Sequence, residues 1–474
     1  VSRMTLEEKQ SQLGNTMPPI PRLGINKYDV WGEALHGVVG RNNNSGMIAT
    51  SFPNSVAVGC TWDPSLIKRE TSVIADEARG FNHDLIFTLT YWSPVVEPAR
   101  DPRWGRTAET FGEDPFLVSR IGSGFVQGLM GDNALYLKSV PCGKHYFANN
   151  SEFNRHNGSA NMDDRDMREF YLFPYRTLIE KDKLPSIMTA YSAVNGIPMS
   201  ASKFLVDTIA RRTYGLDGYV TGDCDAVADV VNSHHYAKSR AEAAAMGLKT
   251  GVDSDCGSIY QTSSLLALTQ GLITEADMDR ALINIYTIRM RLGEFDPQNI
   301  VPYAGIKPSI INDPSHNDLA VEIATKTPVL LKNEQVAKTG AKALPLSSSI
   351  KKIAILGPQA DKVELGDYSG EADVKYKITP LAGIKNYIAQ NNLNTEVVSK
   401  SCGNTSKRTD FFTMVGFSTV AQGGVVKTYD ATKFDASASG LITSARFGAA
   451  SVRGIKDGDW TAYNNVDITN VDSI

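Results

Sequence analysis

The sequence predicts an α/β protein: a (β/α)8 TIM-like barrel, followed by an incomplete α/β sandwich domain and the start of an all-β sandwich module. The first observation behind this prediction is that strand-like and helix-like segments alternate over residues 1–296. The alternation resumes after a polar, proline-bearing stretch, and near Phe411 the composition changes to short runs rich in Gly, Ala, Ser, Thr and Val. Repeated strand–helix units over about 290 residues favour a closed barrel over an open sheet.

Three short runs in the barrel region predict strands, at residues 85–89, 186–190 and 218–221. The third run breaks at a glycine and is followed almost at once by Asp223 and Asp225. A strand that ends in an acidic residue, ahead of a helical segment, is how βα barrels present catalytic groups at one rim. The alternative role for such an aspartate is a helix cap or a turn former.

Capping residues and glycines mark the ends of two predicted helices in the barrel region. Asp63, followed by a proline, predicts the start of a helix that ends near Gly80. Thr274 and Asp277 resemble a capping box, and the helix that follows them ends near Gly293. These helices are the connecting elements that parallel strands require.

Changes in composition divide the chain into four parts. Residues 1–296 are predicted to form the barrel, and residues 297–325, which are polar and contain several prolines, a linker. Residues 326–410 are predicted to form the first part of the α/β sandwich domain, with strands near 328–332 and 350–356 and a helix near 381–391. A further helix is predicted at 319–327, where the linker ends and this domain begins. Residues 411–474 predict a partial β-sandwich module.

The overall composition excludes several classes of function. A net charge of −4 gives no basic surface, so nucleic acid is not an expected partner. No apolar run approaches the roughly 18 residues of a membrane span, and no signal-peptide pattern follows Val1. The sequence has neither metal-ligand spacing nor a phosphate-binding glycine loop, so we expect no metal and no cofactor.

Four polar clusters in the first 300 residues can carry chemistry, and each combines charged side chains with rings. Their key members are Glu33 and His36; Arg103 to Arg106 with the following acidic run; Lys144 and His145 with Arg155; and Asp223 with the preceding Tyr191.

The mixture of residues in these clusters suits a neutral polyhydroxylated ligand. Charged side chains make strong, directed hydrogen bonds to hydroxyl groups, and aromatic rings pack on the C–H face of a sugar. Each residue also has a structural alternative. Arg103 and Arg106 can be ion-pair partners, His36 and His145 can be buried histidines with satisfied hydrogen bonds, and Trp104 can be a core residue.

The four clusters, taken in this order, resemble glycoside hydrolase family 3. The resemblance rests on Glu-Ala-Leu-His-Gly, Asp-Pro-Arg-Trp-Gly-Arg with Gly-Glu-Asp-Pro, Lys-His-Tyr, Tyr-Ser-Ala-Val-Asn-Gly, and Gly-Tyr-Val-Thr-Gly-Asp-Cys-Asp. It covers residues 1 to about 405. The resemblance implies a barrel followed by an α/β sandwich, which agrees with the organisation described above.

The resemblance also implies roles for individual residues. Asp223 matches the catalytic nucleophile of the family. The matched positions that bind the sugar in the −1 subsite are Lys144, His145 and Arg106, with Arg155 and Tyr191 as further subsite residues and Trp92 as an aromatic wall.

Two features resemble the β-xylosidase branch of the family. Glu33 stands where β-glucosidases usually place an aspartate, and its longer side chain would occupy the space of a hexose CH2OH group. Cys224 follows the nucleophile where glucosidases have tryptophan, and the resemblance implies that it forms a disulfide with Cys256 on the wall of the active site. The alternative is two free buried thiols.

The resemblance therefore implies a retaining, exo-acting β-xylosidase that releases xylose from the non-reducing ends of xylo-oligosaccharides. The alternatives are a β-glucosidase, an α-L-arabinofuranosidase or a non-catalytic carbohydrate-binding protein. The family's acid/base glutamate follows a motif that is absent from this sequence, so we expect it beyond Ile474; Glu364 and Glu371 match no motif.

Residues 411–474 resemble the start of a family-6-type carbohydrate-binding module, in which Trp460 and Tyr463 are either platform or core residues. An extracellular or periplasmic location is what the family resemblance and the implied disulfide together lead us to expect.

Overall fold

The computed structural model describes residues 1–39, 48–83, 88–336, 340–366, 368, 370–400, 439–444 and 448–453. The chain forms two compact units. The first unit contains Val1–Pro328 and Leu365–Asp373, and the second contains Val329–Glu364 and Val374–Ile474.

Helices and strands alternate along the first unit. Its helices are α1 (Leu6–Ser11), α2 (Ser55–Gly59), α3 (Pro64–Asn82), α4 (Pro115–Met130), α5 (Asp164–Asp166), α6 (Phe173–Glu180), α7 (Ala226–Asn232), α8 (Arg240–Thr250), α9 (Ile259–Thr269), α10 (Glu275–Arg291) and α11 (Pro314–Lys326), with π-helical turns at Met167–Tyr171 and Phe204–Thr213. Its strands are β1 (Thr16–Met17), β2 (Tyr28–Asp29), β3 (Thr90–Tyr91), β4 (Val140–Pro141), β5 (Gly143–Tyr146), β6 (Ser159–Ala160), β7 (Ser186–Thr189), β8 (Ala193–Val194), β9 (Ile197–Pro198), β10 (Tyr219–Gly222) and β11 (Ser254–Asp255).

A parallel sheet of four strands, in the order β11-β10-β7-β5, lies at the centre of this unit. Single bridges extend it on both sides, from Val95 to Lys144 and from Gly14 to Asp255. All residues of β5, β7 and β10 are buried, as expected for a parallel sheet covered on both faces. The α/β fold class is therefore confirmed, and the (β/α)8 barrel stays a prediction.

The predicted helix starts are confirmed. The Asp63 carboxylate accepts hydrogen bonds from the backbone N–H groups of Ser65 and Leu66 at the start of α3. Thr274 and Asp277 form the capping box of α10. Of the predicted strands, residues 186–190 and 218–221 correspond to β7 and β10. Residues 85–87 of the first predicted strand lie outside the described residues, and β3 follows them directly.

Residues 297–325, predicted as a linker, belong to the first unit and contain most of α11. Asp313 caps this helix. His316 of α11 contacts Glu77 of α3 through Nδ1 at 2.7 Å, and Leu319 and Ile323 are buried. The prolines of this stretch predict an irregular linker. Pro314 instead occupies the first turn of α11, where a backbone N–H has no intrahelical partner and is not needed.

The segment Leu365–Asp373, defined here as the return segment, also packs in the first unit. The backbone N–H of Leu35 donates to the Tyr368 carbonyl at 3.1 Å, and that of Ala49 donates to the Glu371 carbonyl at 3.1 Å. Tyr368 packs against Leu35 and Trp104. A residue far along the chain is thereby placed beside the loops of the first unit.

The second unit contains a two-stranded parallel sheet of β12 (Lys352–Leu356) and β13 (Glu396–Lys400), and the helix α12 (Pro380–Gln390). The predicted strand at 350–356 and helix at 381–391 are thus confirmed. The predicted strand at 328–332 is wrong: these residues form no strand, and Leu331 is 91% exposed. A strand needs a hydrogen-bonded neighbour, and none pairs with them among the described residues.

Two antiparallel strands, β14 (Ser439–Ser444) and β15 (Gly448–Arg453), fall within the predicted β-sandwich module. Trp460 and Tyr463 lie outside the described residues. Among the helices that the structure describes, none combines the length and apolar character needed to cross a membrane.

Candidate active site

The predicted site residues meet beyond the carboxyl ends of the central strands of the first unit. Asp223 follows β10, Tyr191 follows β7, and Lys144 and His145 lie in β5. Because parallel strands end at the same edge of a sheet, residues distant in sequence come together there.

Asp223 is oriented by its neighbours. Its backbone N–H donates to the Thr189 carbonyl at 3.1 Å, which continues the pairing of β10 with β7. Its Oδ1 accepts hydrogen bonds from the Tyr191 hydroxyl at 3.0 Å and from the Cys224 N–H at 2.7 Å. Its Oδ2 lies 3.6 Å from His145 Nε2. One carboxylate oxygen is therefore fixed by two donors, and the other faces the imidazole.

His145 and Arg106 form the next part of the site. Arg106 pairs with both carboxylate oxygens of Glu109, at 2.8 and 2.7 Å, and its Nη1 lies 2.9 Å from His145 Nε2. Burial lowers the pKa of His145 well below its ordinary value, and the positive charges of Arg106 and Lys144 lower it further. The imidazole is therefore neutral at physiological pH.

Lys144 forms a buried ion pair with Glu33, with Nζ 3.1 Å from Oε2. Burial lowers the pKa of Lys144, but the Glu33 carboxylate and the Tyr368 hydroxyl more than offset this effect, so the pKa is raised and the ammonium is retained. The Tyr368 ring lies 4.4 Å from Nζ. Burial raises the pKa of Glu33, against the effect of the neighbouring Lys144.

An aromatic wall adjoins this ion pair. Trp92 is buried, and its ring stacks on that of Trp31 with centroids 5.1 Å apart and planes 11° from parallel. The indole N–H of Trp31 donates to Glu33 Oε1 at 3.2 Å. Since Trp31 connects the two predicted residues Trp92 and Glu33, the wall and the ion pair form one structure.

Arg155 and Tyr191 lie on the other side of Asp223. The Arg155 guanidinium lies 4.9 Å from the centre of the Tyr191 ring and also donates to Glu152 at 2.9 Å. The His156 ring packs against the same tyrosine at 4.4 Å and pairs with Asp229. These contacts hold the ring whose hydroxyl bonds to Asp223.

Cys224 and Cys256 form a disulfide, with Cα atoms 4.2 Å apart. The bond connects the residue after Asp223 to the residue after Asp255, at the ends of the adjacent strands β10 and β11. Burial raises the pKa of Asp255 to about 7, with the nearby charge of Asp225 adding to the rise. The disulfide thus joins two segments that both carry buried or half-buried carboxyl groups.

The structure therefore brings all the predicted site residues together, whereas the other candidates have structural contacts. Arg103 pairs with Asp101 on the surface, and His36 Nδ1 contacts the Phe52 carbonyl at 2.9 Å in the interior. Trp104 is buried and its indole N–H donates to Glu152.

Residues of the site that were not predicted include Trp31, Glu97 and Tyr368. Trp31 belongs to the first cluster and could have been found from its position two residues before Glu33. Glu97 binds the far side of His145, with Oε2 2.9 Å from Nδ1. Tyr368 belongs to the return segment, and no local pattern marks it.

Within the part of the chain that the structure describes, no group of three or more His, Cys, Asp or Glu side chains is arranged to hold a metal ion. The site consists of a buried carboxylate facing a neutral histidine, three cations and stacked aromatic rings. Cationic donors bind hydroxyl groups, rings pack on C–H faces, and a carboxylate can attack a polarised carbon. An α/β fold with such a site is typical of enzymes that act on sugars.

Family comparisons place the chain within that class. The protein-family model described as "Glycosyl hydrolase family 3 N terminal domain" matches residues 27–288. The family model described as "Glycosyl hydrolase family 3 C-terminal domain" matches residues 328–449. The chain belongs to glycosyl hydrolase family 3.

Similar proteins carry xylosidase names. The chain is 38% identical over 428 residues to "Probable beta-D-xylosidase 7" of Arabidopsis thaliana, covering 86% of this chain and 55% of that protein. It is 37% identical to "Beta-xylosidase/alpha-L-arabinofuranosidase 1" of Medicago sativa subsp. varia, covering 82% and 51%. The chain spans about half the length of these curated relatives.

A solved exo-β-xylosidase in complex with a xylobiose aziridine activity-based probe has a similar structure. The TM-score is 0.79 at 33% identity, over 87% of this chain and 54% of that one. A β-glucosidase from Erythrobacter marinus gives a TM-score of 0.73 at 26% identity, over 85% and 57%.

Proposed function

We propose that the protein is a retaining, exo-acting glycoside hydrolase that releases β-linked xylose from the non-reducing ends of xylo-oligosaccharides. The observation that carries this proposal is the orientation of Asp223. Tyr191 and Cys224 hold its Oδ1, and Oδ2 faces neutral His145 at 3.6 Å. A carboxylate fixed in this way, beside donors for sugar hydroxyls, is suited to nucleophilic attack.

In the proposed reaction, an Asp223 oxygen attacks the anomeric carbon of the terminal xylose. The glycosidic C–O bond breaks, and its electron pair leaves with the aglycone oxygen. A general acid protonates that oxygen, and water later hydrolyses the glycosyl-enzyme ester. We propose that the acid/base is a glutamate beyond Ile474, and we assign neither Glu364 nor Glu371 to this role.

The preference for a pentose is supported by the surroundings of Glu33. Its carboxylate is held by Lys144 and by the indole N–H of Trp31, so the longer side chain has a fixed position. The Tyr368 ring lies 4.4 Å from Lys144 Nζ. A hexose CH2OH group would compete for this volume, whereas xylopyranose carries only hydrogen there.

The first alternative is an α-L-arabinofuranosidase, alone or combined with xylosidase activity, as in the name of the Medicago relative. The second is a β-glucosidase, as in the Erythrobacter structure. A non-catalytic carbohydrate-binding protein is the third, and the ordered Asp223 argues against it because binding alone does not require an oriented nucleophile.

Covalent labelling tests the nucleophile directly. The probe is 2,4-dinitrophenyl 2-deoxy-2-fluoro-β-D-xyloside, whose leaving group departs without a general acid. We expect one equivalent of dinitrophenolate and one fluoroxylosyl group on the peptide that contains Asp223, identified by mass spectrometry. Labelling of another residue, or no labelling under conditions where xylose binds, would contradict the proposal.

Substrate selection tests the role of Glu33. Rates with nitrophenyl β-xyloside, β-glucoside and α-L-arabinofuranoside are compared between the wild type and Glu33→Asp. The shorter side chain opens space for CH2OH, so we expect the glucoside-to-xyloside ratio of kcat/KM to rise about 10-fold. A wild type that hydrolyses the glucoside faster than the xyloside would falsify the pentose assignment.

We further propose the finer architecture that the family implies. Residues 1–296 form a (β/α)8 barrel, residues 326–410 begin an α/β sandwich, and residues 411–474 belong to a family-6-type carbohydrate-binding module. The antiparallel pairing of β14 with β15 supports a β-structure in the last part. We also propose an extracellular or periplasmic location, which the Cys224–Cys256 disulfide supports because such bonds persist in oxidising compartments.

A further inference from the structure

A second buried glutamate, Glu97, lies on the side of His145 opposite to Asp223. Its side chain is 1% exposed. Oε2 accepts a hydrogen bond from the backbone N–H of His145 at 3.1 Å and contacts the imidazole Nδ1 at 2.9 Å. Oε1 accepts from the backbone N–H of Asn149 at 2.7 Å. Three nitrogen atoms therefore surround one carboxyl group in the interior.

The contacts of His145 determine where its proton lies. Arg106 Nη1, which can only donate, is 2.9 Å from Nε2, so Nε2 must accept. A neutral imidazole has one N–H, and that N–H is therefore on Nδ1 and donates to Glu97. The positive charges of Arg106, Lys144 and Arg155 all favour the neutral ring.

The opposite tautomer would change the surroundings of Asp223. A proton on Nε2 would face the Arg106 donor and would point towards Asp223 Oδ2, 3.6 Å away. Donation to Oδ2 would stabilise the carboxylate in its resting state and reduce its reactivity towards carbon. The tautomer with Nδ1–H leaves Oδ2 available for attack and gives Nε2 a lone pair that can accept from Arg106 or from a sugar hydroxyl.

We propose that Glu97 is a positioning residue that fixes His145 in the Nδ1–H tautomer and thereby keeps Asp223 Oδ2 reactive. The catalytic part of this inference rests on the proposed function, and the tautomer part does not. Burial raises the pKa of Glu97 to about 8, and the N–H groups of His145 and Asn149 oppose that rise by stabilising the carboxylate. Oε2 can accept from Nδ1–H in either protonation state of Glu97, because the neutral acid can carry its proton on Oε1.

The experiment compares Glu97→Met, which removes every acceptor, with Glu97→Gln, which retains one oxygen for His145. The first readout is the ¹⁵N shift pair of the His145 imidazole, assigned by its loss in His145→Phe. We expect the proton wholly on Nδ1 in the wild type and in Glu97→Gln. In Glu97→Met a buried Nδ1–H would have no acceptor, so we expect a measurable fraction of rings with the proton on Nε2, limited by the Arg106 donor that faces Nε2. The second readout is the rate of Asp223 labelling, expected to fall at least about 10-fold in Glu97→Met with xylose affinity nearly unchanged, because a wrong histidine tautomer impairs chemistry rather than binding.

The matched control is Glu77→Gln. Glu77 is also buried and also contacts a histidine, His316, at 2.7 Å, but it lies on α3, away from the described site. We expect this variant to change thermal stability while the His145 shifts and the labelling rate stay unchanged.

The possible results separate the two proposals. A wild type with the proton on Nε2, or a folded Glu97→Met protein that labels at the wild-type rate, would overturn the role of Glu97. If Glu97→Met does not fold, Glu97→Ala in the presence of xylose replaces it with the same expected shifts. Absence of wild-type labelling would overturn the proposed function, while the ¹⁵N shifts would still decide whether Glu97 fixes the tautomer.

Discussion

The two sides of the candidate site differ in whether their charged groups are paired with groups of opposite charge. The cationic side consists of Arg106 and Lys144 together with the neutral His145, and each of these residues has its own glutamate partner: Glu109, Glu33 and Glu97. Buried charges that are paired in this manner keep a fixed position and a fixed protonation state. This side therefore provides a preorganised set of donors.

The acidic side consists of Asp223, Asp225 and Asp255, which are close to one another. Among the described residues, none of the three has a cation within ion-pair distance. Asp223 does contact neutral His145, at 3.6 Å. Burial raises the pKa of Asp225, with the nearby Asp229 adding to the rise. The Cys224–Cys256 disulfide connects the segments that carry these acids. The comparison teaches that opposite charges stabilise the donors, whereas the proposed nucleophile Asp223 has no cationic partner at ion-pair distance among the described residues.

The largest effect is expected from Asp223→Asn. Removal of the proposed nucleophile should reduce hydrolysis of dinitrophenyl xyloside at least about 10⁴-fold, because the amide cannot form the ester intermediate. Calorimetry should show that xylose still binds. Asp225→Asn is the control on the same side of the site, and its φ of 67° suits asparagine. Equal losses in both variants would mean that the acidic side acts through its total charge.

A smaller effect is expected from Lys144→Met on the cationic side. The substitution leaves Glu33 buried without its partner, so the free energy of unfolding of the first unit should fall by about 3–5 kcal/mol. Urea unfolding followed by tryptophan fluorescence measures this change. Lys68→Met is the control, because the Lys68–Asp132 pair is exposed and should contribute less than about 1 kcal/mol. Similar losses in the two variants would show that pairing at the site is not required for stability.

The smallest effect is expected from Asp255→Asn and depends on pH. The pKa of Asp255 is raised from 3.8 to about 7, so the folded chain binds more protons than the unfolded chain between these values. The stability that this group contributes is present below about pH 4 and is lost as the pH rises to 7. Asparagine does not ionise, so its advantage in melting temperature over the wild type should grow across this window.

We expect the free energy of unfolding of Asp255→Asn to exceed that of the wild type by roughly 1–2 kcal/mol at pH 8. This difference is smaller than the full pKa shift would give, since the amide retains only one acceptor oxygen. Asp132→Asn, at an exposed ion pair, should show no such trend across the same pH range. A stability difference that does not change between pH 4 and 8 would contradict the assignment of a buried proton to Asp255.

The parts of the fold that could be predicted from the sequence are those encoded locally. The starts of α3 and α10 depend on Asp63 and on the Thr274–Asp277 pair, which act within one turn of the helix. The helix predicted at 319–327 corresponds to α11, but its start at Pro314 was missed because that proline was assigned to a linker. The strand predicted at 328–332 was wrong because a strand also needs a partner, and pairing is not a local property.

The same distinction applies to the site. Asp223, Lys144 and His145 lie in motifs that directly follow or occupy strands, so their convergence could be predicted from sheet geometry. Glu97 contacts His145 only because the Val95 segment pairs with β5, and this register is not visible in the sequence. Tyr368 reaches Lys144 through the return of a segment from more than 200 residues further along the chain.

The return segment has a consequence for modular engineering of the protein. A chimaera that exchanges everything after Pro328 for the equivalent part of a homologue would also replace the ring that covers Lys144. A graft that was intended to alter only the second unit would then also change a residue of the candidate site. A chimaera that keeps residues 365–373 of the recipient within the donor sequence preserves the native surroundings of Lys144.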